Sequence, residues 1–339
     1  MERVLKFWMP ALFGFSRSKF LFASRRFELK RAVLLLALLA LVSTTGCSIR
    51  IFAINKLGDA LAHSGTTFAS DDDPDLIKEA VPFSLKLIES LLAESPRHTG
   101  LLFAAASGFT QYAFAFVQQD ADEMEGRDLA TAIVLQARAR RLYLRARNYG
   151  LRGLEANHPA FEKTLRANPK IAVRIASKID VPLLYWTAAS WGAAISLSKD
   201  NPELIAEQPI VEALIDRALE LDESFGDGAL HTFLITYELS RQGGSGNPIA
   251  RSRQHFDRAM ELSKHLQAAP LVSLAETVSV KNQDVAEFKS LLNRALAINV
   301  DLKPEWRLEN LVMQRRARWL LSRIGEFFLV ADEPAKKPN

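Results

Sequence analysis

Cysteine occurs once in the 339 residues, at Cys47, so no disulfide can form within the chain and its stability has to come from buried apolar surface. Only 16 glycines and 14 prolines stand against 48% hydrophobic residues, which excludes collagen-like and disordered chains. Histidine is scarce too. The six, His63, His98, His158, His231, His255 and His265, contain no H-E-x-x-H, no pair four apart and no cysteine partner, so no metal site is expected. Neither a phosphate-binding P-loop nor a dinucleotide fingerprint occurs, and no cofactor is expected. Gly243-Gly244-Ser245-Gly246 lacks the last glycine of a nucleophile elbow, and Ser196-x-x-Lys199 lacks the companion motifs of a serine acyl-transfer enzyme. Asp71-Asp72-Asp73-x-Asp75 has no Gly or Glu at calcium-loop spacing and reads as a helix cap before Pro74. Catalysis has no visible carrier, and an unrecognised hydrolase is the one enzymatic alternative.

A surplus of positive charge is also missing from most of the chain. The formal +4 conceals eight basic and two acidic residues in 1–46, leaving 35 basic and 37 acidic residues in 47–339. Without a basic surplus, counterion release offers no affinity for DNA or RNA, and no nucleic-acid partner is expected.

What is present begins at the N-terminus. Lys30-Arg31 precedes the uncharged stretch AVLLLALLALVSTTG (32–46), a cationic and then apolar layout that matches a secretory signal. Thr44, Thr45 and Gly46 directly before Cys47 resemble a bacterial lipobox, in which the thiol is diacylated and the chain is cut before it. An uncleaved anchor and a chance free thiol are the alternatives. Eleven strongly apolar residues are few for a membrane span of roughly 20. The expected layout is a lipoprotein signal peptide over 1–46, lipid attachment at Cys47, a tether over 47–70, a helical domain over 71–328 and a flexible tail over 329–339. Ser48, rather than Asp, follows the cysteine, which resembles the sorting pattern for the outer membrane, facing the periplasm.

Beyond Ser70, apolar residues recur at spacings of three and four and no stretch alternates for long, so the expected fold class is all-α. Helices are expected near 74–93, 99–119, 128–156, 159–178, 181–199, 202–221, 226–241, 248–265, 270–282, 284–298 and 304–328, as antiparallel hairpins. A weak repeat runs through them: Tyr143-x-x-Ala146, Ile215-x-x-Ala218, Phe256-x-x-Ala259 and Leu292-x-x-Ala295, with alanines 72, 41 and 36 residues apart. A tetratricopeptide B-helix packs in this way with a period of 34, so the expectation is a degenerate tetratricopeptide-like array; an ordinary amphipathic bundle is the alternative.

Two of these helices carry no charge: TGLLFAAASGFTQYAFAFVQQ (99–119) and VPLLYWTAASWGAAISLS (181–198). Helices apolar on every face lie in a core or a membrane, and their Ser, Thr and Gln argue for the core. Their small residues permit either close helix contact or room for an apolar ligand. On helix 128–156, Arg138, Arg141, Arg145 and Arg152 share a 60° stripe that reads as the solvated face, whereas Arg140 and Arg147 fall on the apolar arc near Tyr143. A guanidinium there must meet an internal carboxylate, carbonyls or the carboxylate of a ligand. The candidate ligand cavity therefore comprises Tyr112, Phe116, Arg140, Tyr143, Arg147, Tyr185, Trp186, Trp191 and His231, with plain core as the alternative and His231 equally readable as a satisfied core histidine.

Several stretches together resemble one family, the T-component (TatT) proteins associated with tripartite ATP-independent periplasmic (TRAP) transporters. They are DDDPDLIKEAVPFSLKLIESLLAESP (71–96), GFTQYAFAFV (108–117), RRLYLRARNYGLRGLE (140–155), VPLLYWTAASWGAAISLSKD (181–200), RALELDESFGDGALHTF (217–233), ARSRQHFDRAMELS (250–263) and RLENLVMQRRARWLL (307–321). The resemblance implies a tetratricopeptide-related α-bundle that forms trimers, binds the transporter's periplasmic solute-binding protein and offers a route for an apolar or carboxylated solute. It transfers no catalytic residue. A scaffold lipoprotein for outer-membrane assembly shares the tether and repeats without needing an interior route.

Overall fold

Helix starts are written locally, by side chains that accept the first free backbone N–H groups. Asp73 accepts from the N–H groups of Asp75 and Leu76 to open α2 (Pro74–Glu94), which follows the short α1 (Gly65–Ala69). His98 opens α3 (Thr99–Glu125), Asp128 opens α4 (Leu129–Asn157) and Asn168 opens α6 (Pro169–Ala172), which follows α5 (Phe161–Ala167). After α7 (Val181–Ser196), Asn201 caps α8 (Pro202–Ile205) and α9 spans Gln208–Leu221. The second half holds α10 (Ala229–Tyr237), α11 (Pro248–Leu262) capped by Asn247, α12 (Ala269–Leu274), α13 (Val285–Leu296) capped by Asp284, α14 (Arg307–Ser322) and α15 (Ile324–Phe327). The computed structural model describes Gly65–Leu329 except Gly243, together with Arg31 and Lys56. Apart from Arg31, the expected signal peptide lies outside the described residues, as do Cys47, most of the tether and the tail past Leu329.

Among the described residues there are helices and no strand, so the chain is all-α as expected. The differences lie at the ends. The helix expected to stop at Gln119 continues to Glu125 through a π-helical stretch, Ala113–Gln118. The helix expected over 202–221 breaks at Ala206–Glu207, because Pro209 has no N–H to continue the ladder and suits the first turn of a new helix instead. In place of a helix from residue 226, Gly226, Asp227 and Gly228 all take positive φ, at 60°, 53° and 105°. A Cβ at Gly228 would approach the Ala259 backbone to 3.2 Å, so glycine is needed there for φ and for space. Residues 65–69, within the expected tether, form α1, and Arg307 donates to the Ser70 carbonyl at 2.8 Å just after it.

The charge-free helices do lie in the core. Helix α3 is long and apolar enough to cross a membrane, but most of its apolar stretch is buried in the protein. Its Thr110 and the Thr187 of α7 return their hydroxyls to the carbonyls of Ala106 and Leu183, at 2.7 and 2.6 Å, so neither buries an unmet donor. Helices α4 and α7 run antiparallel at close range: Gly153 faces Leu183, Gly150 faces Thr187 and Arg147 lies over Trp191. A Cβ at Gly150 would sit 2.1 Å from Thr187 Oγ1. The small residues at this contact therefore serve close packing.

One cluster of buried residues runs from α2 to α10 and a second from α10 to α15, and α10 belongs to both, giving Leu230 and Leu234 to the first and Ile235 to the second. Helix α14 then returns to the first half of the chain. Arg315 pairs with Asp120 at 3.0 Å and Glu123 at 2.7 Å, and Arg316 pairs with Asp122 at 2.9 Å and with Glu276. The residues from Ile54 onward form one compact unit, and that unit holds both clusters.

Candidate functional site

The nine expected cavity residues fall into local groups, each with its own partners. Tyr112 and Phe116 are buried one turn apart on α3, their ring centroids separated by 5.8 Å. Tyr143 on α4 is buried and donates its hydroxyl to Gln118 Oε1 at 2.6 Å. Burial pushes that phenol far above its ordinary pKa, so it acts as a fixed donor.

Arg147 and Trp191 form the tightest polar group, completed by Glu207 in the loop before α9. The Trp191 ring is fully buried; its indole N–H donates to Glu207 Oε2 at 2.8 Å. Arg147 approaches the same oxygen at 3.4 Å, with its guanidinium carbon 4.8 Å from the Trp191 ring centroid. Arg166 binds Glu207 Oε1 at 2.9 Å. Arg147 thus meets the internal carboxylate of Glu207, and its Nε and Nη2 also donate to the side-chain carbonyl of the neighbouring Asn148, at 3.2 and 3.1 Å. Burial lowers the Arg147 pKa, and Glu207 opposes that shift.

Arg140 departs from expectation. It is partly exposed, and among the described residues its ion pair is with the exposed Asp200, at 3.8 Å. The antiparallel register explains the difference: α7 ends at Ser196, so it covers Arg147, Gly150 and Gly153 but not the position two turns earlier. On the stripe expected to be solvated, Arg145 contacts Glu89 at 3.2 Å and Arg138 lies over the Tyr112 ring.

Tyr185 and Trp186, at the start of α7, make a third group. Their rings are 4.9 Å apart, and Phe225 stands 5.5 Å from Tyr185. Glu309 on α14 is the charged group acting on Tyr185. Water reaches Glu309, yet the protein crowded around it pushes its carboxyl up to about 7, with no cation opposing the shift. This acid, Glu207 and Gln118 were not singled out from sequence; nothing in local periodicity marks a carboxylate or amide whose partner lies on a distant helix.

His231 sits in none of these groups. Its Nε2 is 3.1 Å from Glu223 Oε1 and its Nδ1 is 2.8 Å from His255 Nδ1. A carboxylate only accepts, so Nε2 carries the His231 proton and Nδ1 accepts from His255. His231 is thus a core histidine with both ring nitrogens engaged. Among the described residues no three His, Cys, Asp or Glu side chains are placed to hold a metal ion.

Comparison with known proteins gives two results. Residues 70–328 match the family model of the TRAP transporter T-component. A protein of Treponema pallidum (strain Nichols), described as uncharacterized, is 27% identical over 303 residues, covering 84% of this chain and 94% of the relative.

Proposed function

The chain belongs to the TRAP transporter T-component family, and from that membership we propose that it is a periplasm-facing lipoprotein accessory component of a TRAP transporter. It docks the periplasmic solute-binding protein and passes an apolar or carboxylated solute to or from it; its role is transfer, not catalysis. The family match over residues 70–328 carries this reading. Inside that stretch the aromatic group Tyr185, Trp186 and Phe225, together with Glu309, whose charge acts on Tyr185, supports a solute contact: apolar rings share a neighbourhood with one carboxyl that can be protonated near neutral pH. A protonated Glu309 would donate to a solute carboxylate, and the ring faces would hold its apolar part.

The finer architecture belongs to the same proposal. We read the helix pairs as a degenerate tetratricopeptide-like array, supported by the complete burial of all four repeat alanines, Ala146, Ala218, Ala259 and Ala295. Such arrays present extended surfaces to protein partners, and the proposed assembly is a homotrimer. The proposed signal over 1–46, the lipid on Cys47 and the tether over 47–70 would hold the 71–328 domain at the periplasmic face of the outer membrane.

The decisive experiment is capture of the tagged full chain from a detergent extract of the native cell. Recovery of the TRAP solute-binding protein supports the reading; recovery of outer-membrane assembly components without it would favour a scaffold. Cys47→Ala should abolish palmitate labelling, and sedimentation equilibrium of the unlipidated form should give about three protomer masses. Retained labelling defeats the lipid site, and a strict monomer defeats the trimer.

A further inference from the structure

The segment between α5 and α7 exposes more apolar surface than its length would lead one to expect. Ile171, Ile175 and Ile179 are spaced four residues apart on consecutive short turns and are 55%, 61% and 82% exposed. Ala172, Val173, Ala176 and Asp180 anchor the same segment from beneath, all buried. Asp180 accepts from the Ser177 N–H at 2.9 Å and from Asn157 at 3.0 Å, which fixes the last turn. The isoleucines are thus held outward by a rigid base. Ile171 and Ile175 also border a shallow recess of about 180 Å³ formed with Phe161 and Pro159.

The charges around these isoleucines are of one sign. Between Lys163 and Ile179 there are five basic residues, Lys163, Arg166, Lys170, Arg174 and Lys178, and no acidic one. Lys170, Arg174 and Lys178 each directly precede one of the isoleucines. Arg166 is held by Glu162 and Glu207 and Lys178 by Asp222, while Lys163, Lys170 and Arg174 make no ion pair among the described residues.

We propose that this segment is a membrane-surface contact, in which Ile171, Ile175 and Ile179 insert into the headgroup region of an anionic bilayer while Lys163, Lys170 and Arg174 engage its lipid phosphates. Protruding apolar tips ringed by unpaired lysine and arginine suit a soft anionic interface. A protein interface is a poorer fit, since lysine is depleted there. The contact is independent of any acyl group on Cys47. It would fix the orientation of the domain against the membrane, which a tether alone leaves free.

The test uses residues 54–339, the compact unit that holds both cores and lacks Cys47. Sedimentation with phosphatidylcholine vesicles containing 30% phosphatidylglycerol should show binding at low salt, at least tenfold weaker with phosphatidylcholine alone and weaker as salt rises. Ile175→Asp or Ile179→Asp should reduce binding at least tenfold; Lys170→Gln and Arg174→Gln should each reduce it about fivefold. Ile133→Asp, at an exposed isoleucine on α4, should leave it unchanged. All four patch positions are exposed, so circular dichroism should report an intact fold in every variant. Absence of vesicle binding, or binding indifferent to Ile179→Asp, overturns the proposal. Association of copies in vesicle-free solution that Ile179→Asp abolishes would overturn it as well, by assigning the patch to a second copy of the chain.

Discussion

Arg316 binds Asp122 across 194 residues of sequence, with Nη1 2.9 Å from the carboxylate, and this pair ties the last long helix to the end of α3. The guanidinium is nearly buried and also engages Glu276, so one cation on α14 pairs with two carboxylates carried by different parts of the chain. Removing one member of such a group leaves the others desolvated and unpaired, the costly way to break a buried ion pair.

Arg316→Met should therefore destabilise the protein by about 3–5 kcal/mol, on the order of a 10 °C fall in midpoint temperature. Thermal denaturation followed by circular dichroism measures it. In the Arg316→Met background, Asp122→Asn should relieve part of the loss. Equal costs of Asp122→Asn with and without Arg316 would show that the two residues are not coupled.

Gly150→Ala tests the close approach of α4 and α7. Helix propensity alone favours the change by up to about 1 kcal/mol. The new Cβ would lie 2.1 Å from Thr187 Oγ1, so the expected net result is a loss of about 1–3 kcal/mol by chemical denaturation. Thr187→Ala should recover part of it, since the hydroxyl is the atom in conflict. A stabilised Gly150→Ala protein would mean that the two helices are farther apart.

The histidine pair and Glu309 give opposite pH dependences. Burial pushes His255 down to about 4 from an unfolded value of 6.5, and His231 is lowered by burial as well. Between pH 6.5 and 4 the unfolded chain binds more protons at these sites, so their contribution is present above 6.5 and is lost on acidification. Glu309 is raised from 4.5 to about 7, so the folded state binds the extra proton there and stability is lost as pH rises from 4.5 through 7. His255→Gln should flatten the acid limb of a plot of midpoint temperature against pH, and Glu309→Gln should flatten the neutral limb. An unchanged neutral limb in Glu309→Gln would place that carboxyl in ordinary solvent.

Arg147→Met should cost about 1–3 kcal/mol, because Glu207 loses one of its two guanidinium partners and Trp191 loses the cation over its ring. Its guanidinium is already engaged inside the protein, so a fluorescent fatty acid and its alcohol analogue should keep the same affinity ratio in the variant. A selective loss of acid binding would make Arg147 a ligand contact.

Much of this protein was legible one segment at a time. Asp73 before Pro74, Asp128 and Asn247 mark helix starts because capping is a contact between residues two or three apart, and the three-four spacing of apolar residues fixed the helical class for the same local reason. The absence of charge from 99–119 and 181–198, together with their Ser, Thr and Gln, pointed both helices to the core. Local pattern could not decide how closely α7 would approach α4, nor which carboxylate would take Arg147. Those answers depend on the register of α7 along α4, which sets Gly150 on Thr187, puts Trp191 with Glu207 beneath Arg147 and leaves Arg140 uncovered. The junction of Arg316 with Asp122 and the crowding of Glu309 were equally out of reach, because each is created only when helices from opposite ends of the chain pack together.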